Sequence, residues 1–329
     1  MDASEIPVQF DNILGQQRSI ELLLRAYHKK RLAPGYLFVG PDGIGRSLVA
    51  AAFAALLLGN GQSQRRRVAS RNHPDLLWVE PTYLHQGKRL TVAEAAAAGL
   101  KRRGLPQVRL DQIRDIAQFL SRPPLEAERT VVVIEAAERI AEAAANGLLK
   151  TLEEPGRATL ILIAPDQHSL LPTLISRCHA VPFRRLSSAD LTQVLTQLGH
   201  QALLEHPDLL ALAQGSPGAA IAAWQQFQTI PPELLEKIRQ PILEVRTALE
   251  LGRQIAQSLE PDSQLWLIDY LQQLRWRQGL VAGLQELEQA RQQLLQYVQP
   301  RLVWEVVCLA LVISAPGAIV GAGPSHLPE

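Results

Sequence analysis

The first half of the chain alternates short apolar runs with segments in which apolar residues recur at helical spacing. The run at 130–134 is β-branched throughout, which is typical of a strand buried on both faces of a parallel sheet. The apolar runs lie at residues 37–39, 76–79, 130–134, 159–164 and 180–183. The predicted helices between them begin at Ser47 and cover residues 108–119 and 143–152. Strands separated by helices predict a parallel α/β sheet with right-handed crossovers.

After residue 183 the pattern predicts helices alone. Ser187 or Ser188 is the expected N-cap of the first of them, with Leu191 and Leu195 on its apolar face. Further apolar stripes follow at helical spacing, the last at residues 302–315. The pattern therefore predicts three domains: an α/β domain at 1–184 with an insertion at about 82–107, a small helical domain at 185–229, and an all-helical domain at 230–329.

The composition and the net charge of the chain exclude several classes of protein. The chain has 329 residues, of which 47% are hydrophobic, and this is too apolar for a disordered protein. Its net charge of +1 excludes a protein that holds nucleic acid by bulk charge alone. The two cysteines, Cys178 and Cys308, are too few for a four-thiolate zinc site or a disulfide framework, and they suit a reducing compartment.

Two further observations bear on location and on basic surfaces. The acidic start of the chain lacks the apolar core of a signal peptide, and the apolar stretch at 48–58 is too short to span a bilayer, so we expect a cytoplasmic protein without a membrane partner. Basic runs at 65–67 and 101–103 lie in two apparent insertions. We interpret these insertions as solvated loops and a surface helix rather than as DNA contacts.

A glycine-rich segment between the first predicted strand and its helix carries the clearest chemistry. Residues 40–47 fit the phosphate-binding pattern G-x-x-x-x-G-K-[S/T], except that Arg46 replaces the lysine. Glycines let backbone N–H groups point at phosphate oxygens, and the following helix adds its partial positive charge. Arginine keeps the charge, but its planar fork is bulkier than an ammonium group. The candidate phosphate-contacting residues are Gly40, Pro41, Gly43, Gly45, Arg46 and Ser47.

The strand at 130–134 ends where nucleotide hydrolases of this kind hold a metal ion and a general base. Glu135 lies at the metal position, one methylene longer than aspartate, and Ala136 lies at the position of the base and has no proton-accepting group. We therefore treat Glu135 as a degenerate metal-contacting residue and expect no useful hydrolysis by this chain.

With these segments the chain resembles the AAA+ clamp-loader subunits of bacterial DNA polymerase III, and most closely the delta-prime family among them. The segments that carry the resemblance occur in the family's order through residues 10 to about 220. They are residues 10–16, 36–41, 73–75, the helix motif at 146–155, and residues 170–178, which end in Ser176-Arg177-Cys178.

The resemblance implies a fold and a mechanism. It implies an AAA+ parallel-sheet domain, a small helical lid and an all-helical collar that joins subunits into a ring. The ring opens a sliding clamp and places it on primed DNA. Arg177, placed by Ser176 and Cys178, would act in trans as an arginine finger on ATP bound to the neighbouring subunit. The implied partners are the ATPase motor and clamp-opening subunits, the sliding clamp, and primer–template DNA within the complex.

Departures from the family pattern point to a stationary subunit that does not hydrolyse ATP. Arg46, Glu135 and Ala136 alter the hydrolytic site, and Gly218 stands where the sensor 2 motif of the lid has its arginine. Many relatives carry a four-cysteine zinc module after the loop helix, but residues 59–74 contain no cysteine, so we expect no metal. No cofactor is required under this interpretation, and weak ATP or ADP binding stays open.

Two other functions remain open from the sequence. The chain could be an ATPase of the same superfamily that still hydrolyses ATP with Arg46, although Ala136 argues against it. It could instead be a nucleotide-sensing binding module that changes partners through Gly43, Gly45, Arg46 and Ser47, with no role for Arg177. A separate DNA-binding protein is disfavoured by the net charge of +1.

Overall fold

The computed structural model describes residues 8–59, 61–100, 104–240 and 242–313. These residues fall into two compact units. The first runs to Gln197 and includes Gly215–Gly218, and the second holds Leu198–Gln214 and the described residues from Ala219 onward. The basic run at 101–103 and the predicted C-terminal domain beyond Ile313 lie outside the described residues. The predicted boundaries of the three domains stay a prediction.

Five parallel strands form the central sheet of the first unit, in the order β2-β5-β6-β1-β7. Two further strands, β3 and β4, form a separate antiparallel hairpin. In chain order the strands are β1 (Gly35–Val39), β2 (Leu76–Val79), β3 (Thr82–His85), β4 (Lys88–Thr91), β5 (Thr130–Ile134), β6 (Ala158–Ala164) and β7 (His179–Pro182). Every position of β5 and β6 is buried, as in strands covered on both faces.

Eight helices accompany the sheet within the described part of the first unit. They are α1 (Gln17–His28), α2 (Arg46–Leu58), α3 (Gln62–Ala69), α4 (Val92–Ala97), α5 (Leu110–Leu120), α6 (Glu142–Glu153), α7 (Pro172–Ile175) and α8 (Ser188–Gln197). One core cluster joins α5 and α6 to the sheet through Ile113, Ile116, Leu148 and Leu152. Ser187 is the N-cap of α8, since its Oγ accepts the backbone N–H of Asp190 at 3.1 Å.

The second unit is helical throughout its described residues. Its helices are α9 (Pro207–Ala213), α10 (Pro217–Thr229, which begins in the first unit), α11 (Pro232–Arg239), α12 (Val245–Ser258), α13 (Pro261–Arg277), α14 (Leu284–Leu295) and α15 (Pro300–Ile313). Gly252 lets α12 and α15 approach closely, because a Cβ there would lie 2.7 Å from the backbone N of Glu305. Trp304 is buried and donates its indole N–H to Gln264 at 2.9 Å.

The predicted fold class, a parallel α/β domain followed by helical segments, is confirmed. The segment at 59–71 contains α3, and the insertion at 82–107 contains α4 and the β3–β4 hairpin, which the apolar pattern did not predict. Both residues of its turn, Gln86 and Gly87, have positive φ, as a tight hairpin requires. None of the helices in the described ranges is both long enough and apolar enough to cross a membrane.

Candidate functional site

The candidate phosphate loop joins β1 to α2 at the carboxyl edge of the sheet. Gly43 and Gly45 have φ values of 73° and 98°, in the left-handed region that favours glycine. Gly40 lies against the end of β7, where a Cβ would come within 2.7 Å of the carbonyl oxygen of Phe183. Pro41 and Ser47 are half-buried, and Ser47 lies in the first turn of α2. Gly43 and Gly45 therefore adopt conformations that favour glycine, and phosphate contact by this loop stays a prediction.

The side chain of Arg46 contacts Asp42 within the same loop. Its guanidinium Nη2 donates to the carboxylate of Asp42, and its side chain is only 9% exposed. The other terminal nitrogen, Nη1, is buried without a hydrogen-bond partner among the described residues. Burial raises the pKa of the Glu138 carboxyl, Arg139, its ion-pair partner at 3.6 Å, opposes the rise, and Asp42 and Arg46 of the loop have smaller effects of opposite sign. The charge of Arg46 is thus already matched by Asp42 within the loop.

Three consecutive carbonyl groups of the loop are hydrogen-bonded by distant parts of the first unit. The carbonyl of Asp42 accepts from Ser216 Oγ at 2.7 Å, and that of Gly43 accepts from the backbone N–H of Gly218 at 2.9 Å. The carbonyl of Ile44 accepts from Nε2 of the buried Gln16 at 3.2 Å. These bonds fix the loop in one conformation.

Gly218, the residue at the predicted sensor 2 position, packs directly on the loop. A Cβ on Gly218 would lie 2.7 Å from the Cα of Gly43, so a side chain does not fit while this contact is made. The position therefore brings a backbone N–H to the loop where the family pattern brings an arginine.

Glu135 is engaged in a cluster that the sequence analysis did not identify. Its Oε1 accepts from the indole N–H of Trp78 at 2.9 Å and pairs with Arg71 at 3.2 Å. The guanidinium of Arg71 also pairs with Glu80 and lies 4.6 Å from the centroid of the Trp78 ring. Glu80 and Glu135 follow the paired ends of β2 and β5, and this is the signal from which the cluster could have been found. The charge of Glu135 is thus already matched by an arginine.

These residues do not fit a magnesium–nucleotide complex set up for hydrolysis. Glu135 is held by Arg71 and Trp78, and Ala136 offers no proton acceptor. Nowhere in the described ranges do three His, Cys, Asp or Glu side chains gather as they would around a metal ion. The expected absence of a zinc module stays a prediction.

Arg177 lies between the short helix α7 and the strand β7. Its Nη1 donates to the carbonyl of Thr173 at 3.0 Å and to Ser176 Oγ at 3.3 Å. Its Nε and Nη2 both donate to Oε1 of Glu153, at 3.0 and 2.6 Å. Behind it, Cys178 packs on the start of β1, where a Cβ on Gly35 would lie 2.9 Å from the Cys178 sulfur. Ser176 therefore contacts the Arg177 guanidinium, whereas a role for Cys178 in placing Arg177 stays a prediction.

Arg177 and the phosphate loop lie at opposite edges of the same sheet. Tyr36, near the start of β1, pairs with His179, two residues after Arg177, whereas the loop begins after the last residue of β1. A strand of five residues spans about 13 to 16 Å. The structure therefore does not bring Arg177 together with Gly40, Arg46 or the other loop residues.

The two cysteines are expected to react slowly with thiol reagents. Burial raises the pKa of Cys178 and of Cys308 to about 12, so little of the reactive thiolate is present near neutral pH. Compared with a free cysteine, we expect native-state alkylation at pH 8 to be slower by on the order of a thousandfold. Both thiols should react rapidly in denaturant, and rapid labelling of either thiol in the native protein would contradict the prediction.

Two family models match the chain. The model described as "DNA polymerase III, delta subunit" matches residues 15–187, more than half of the chain. The model described as "Cyanobacterial DNA polymerase III delta prime, C-terminal domain" matches residues 189–311. Together they cover both compact units.

Individual relatives agree with the family models. The delta-prime subunit of DNA polymerase III from Pseudomonas aeruginosa is 33% identical over 205 residues, covering 59% of this chain and 55% of that protein. The tau subunit from Bacillus subtilis is 27% identical over 215 residues, covering 64% of this chain and 36% of that protein. The chain matches about half the length of its delta-prime relatives. A gamma-subunit-related protein of Thermotoga maritima superposes with a TM-score of 0.46 at 18% identity, covering 89% of this chain and 99% of that one.

Proposed function

The chain belongs to the DNA polymerase III delta-prime family, and on this premise we propose that it is the stationary subunit of a clamp loader. In this role it does not hydrolyse ATP itself. It supplies Arg177 in trans to ATP bound by a neighbouring subunit, and it helps to load the sliding clamp on primed DNA during replication.

The position of Arg177 at the edge of the sheet opposite to its own phosphate loop carries this proposal. An arginine finger offers a rigid fork of donors that neutralises charge developing on a transferred phosphoryl group. At the far edge of the sheet, Arg177 is separated from the candidate phosphate loop of its own chain by the length of β1. Its side chain is 35% exposed, which leaves it accessible to another subunit. The arrangement suits action on a neighbour.

The contacts around the phosphate loop support the absence of hydrolysis. Arg46 is paired with Asp42, Glu135 is paired with Arg71, and Ala136 cannot accept a proton. The bonds from Gln16, Ser216 and Gly218 hold the loop carbonyls in place without a ligand. Because these charges and carbonyl groups are bonded within the chain, the contacts favour a rigid loop with a structural role.

The proposed partners follow from the family. Relatives include delta-prime and tau subunits of DNA polymerase III, so we propose that this chain assembles with ATPase motor and clamp-opening subunits. Within that assembly it would meet the sliding clamp and primer–template DNA. The proposed location is the cytoplasm, and polymerase activity would belong to the holoenzyme and not to this chain.

Removal of the Asp42 carboxylate is expected to create measurable nucleotide binding. Asp42→Ala frees Arg46 and removes a negative charge from beside the phosphate position, where a charge pair at about 4 Å is worth ~1 kcal/mol in water. We expect ATP to bind the variant about fivefold more tightly than the wild type, with no turnover in either protein. Calorimetry with Mg·ATP and a phosphate-release assay measure the two quantities. The side chain of Asp42 is 88% exposed, so the variant should fold normally.

The ATP-binding and phosphate-release measurements, together with clamp loading by an Arg177→Ala loader, distinguish the proposal from the two alternative functions. Turnover by the wild-type chain, stimulated by DNA, would overturn the proposal in favour of an ATPase. Tight ATP binding by the wild type, together with normal clamp loading by an Arg177→Ala loader, would favour a nucleotide-sensing module. Tight ATP binding by the wild type, with no other change, would contradict the proposal that the loop is held in place without a ligand. It would not affect the proposed role of Arg177.

A further inference from the structure

The motif at 146–155 contains an acidic residue, Glu153, to which the proposed function assigns no role. Glu153 is the last residue of α6, and its Oε1 accepts both Nε and Nη2 of Arg177. With Nη1 bonded to Thr173 and Ser176, all three nitrogens of the guanidinium group make contacts within the chain. A phosphate oxygen from a neighbour would compete for the same N–H groups.

The ion pair between Arg177 and Glu153 is weak enough for a competing phosphate group to break it. Arg177 and Glu153 are 35% and 51% exposed, and an ion pair with this much exposure is weak because water and salt screen it. The phosphate group of a nucleotide carries more negative charge than one carboxylate and, like a carboxylate, can accept two parallel N–H bonds from an arginine fork. The pair can therefore hold the side chain in one place in the free subunit and give way when a phosphate arrives.

We propose that Glu153 is a positioning residue that holds Arg177 in a parked conformation until a neighbouring subunit's nucleotide displaces it. This inference rests on the proposed function of Arg177 as a finger. The parked state competes with engagement of the neighbour's nucleotide, so the apparent affinity for the neighbour is the intrinsic affinity multiplied by the fraction of time that Arg177 is not parked. For a partly exposed ion pair we expect this to be about 1.4-fold to fivefold.

The test compares Glu153→Gln with the matched control Glu154→Gln in the assembled clamp loader. Glu154 is the next residue and is exposed, and its carboxylate forms no ion pair with another described residue. ATP turnover is measured while this subunit is titrated into the other loader subunits with clamp and primed DNA. For Glu153→Gln we expect the half-saturating concentration to fall by about 1.4-fold to fivefold, with maximal turnover unchanged. Glu154→Gln should match the wild type.

Two further measurements separate parking from a general structural role. Added salt should shrink the difference between the wild type and Glu153→Gln, because salt screens a surface ion pair. The effect of Glu153→Gln should also vanish when Arg177 is already Ala. A drop in maximal turnover with an unchanged half-saturating concentration would overturn the inference, as would no change in either quantity.

Failure of the inference and failure of the proposed function give different results. If Arg177→Ala leaves ATP turnover and clamp loading unchanged, the assignment of Arg177 as an arginine finger is wrong, whatever the effect of Glu153→Gln. A double-mutant cycle on the stability of the isolated chain would then still measure the coupling of Glu153 and Arg177. If Arg177→Ala abolishes loading while Glu153→Gln behaves as wild type, only the parking role is wrong.

Discussion

Replacement of Arg177 by Ala lowers ATP hydrolysis at the site that depends on it by about a thousandfold or more, the loss typical of a missing arginine finger. The reason is that alanine lacks the planar fork of donors that the Arg177 guanidinium offers to a phosphoryl group. We would reconstitute the loader from this chain, the motor and clamp-opening subunits, clamp and primed DNA. Other sites of the ring keep their own fingers, so bulk turnover should fall in part while clamp loading is lost.

Arg157→Ala is the matched control for this experiment. Arg157 is exposed and directly precedes β6, so it lies at the same edge of the sheet as Arg177. Its loss removes one positive charge from that edge and should leave turnover and loading near wild-type values. Arg177→Lys keeps the charge but not the fork, and we expect it to restore only part of the activity. Unchanged turnover and loading in Arg177→Ala would remove the finger from the proposal.

The sequence predicts the sheet better than it predicts the site. The bounds of β2 and β5 agree with the predicted runs. In β5 the continuous β-branched residues leave few alternatives to a buried strand. The β3–β4 hairpin was missed, since its turn is Gln86-Gly87 rather than a common Asn-Gly pair. Its position is fixed by tertiary contacts as well, with Arg89 donating to Asp115 of α5 at 2.7 Å.

The site depends on contacts that one-dimensional patterns do not carry. The sequence places Glu135 at a metal position, but its ion pair is with Arg71, which lies 64 residues earlier in the chain. Likewise Gly218 is recognisable as a missing arginine, whereas its hydrogen bond to Gly43 joins residues far apart in the chain. Local motifs thus locate the loop, and long-range packing determines its chemistry.

Removal of the Asp75 carboxylate is expected to be among the most destabilising single changes in the first unit. Asp75 is buried and accepts three backbone N–H groups, from Leu125, Glu126 and Ala127, at 2.6, 2.8 and 2.8 Å. Asp75→Ala leaves these donors without their acceptor. Since part of the loop reaches water, we expect a loss of about 3 kcal/mol rather than the full sum of three buried donors. Urea denaturation measures it.

A surface aspartate gives the control for Asp75→Ala. Asp166 accepts one backbone N–H, from Ser169 at 2.8 Å, in an exposed turn. Asp166→Ala should therefore cost about 1 kcal/mol or less. Asp75→Asn keeps one acceptor oxygen and should fall between the two. Equal losses for Asp75→Ala and Asp166→Ala would mean that the three bonds to Asp75 add nothing beyond those of a surface turn.

The same cluster predicts how stability depends on pH. Burial acts to raise the pKa of Asp75, but its three N–H donors outweigh burial and hold the pKa below the ordinary 3.8. Burial, and then Arg67, lower the pKa of the neighbouring His73 below 6.5. As the pH falls, His73 is protonated in the unfolded chain below about pH 6.5, and Asp75 below about pH 4, whereas the folded chain binds each proton only at a lower pH. Because the unfolded chain binds more protons in each range, each group lowers the free energy of unfolding as the pH falls. Stability should therefore decline in two stages, and His73→Gln should remove the first stage while the second persists. A pH-independent free energy of unfolding between pH 7 and about pH 3 would contradict both assignments.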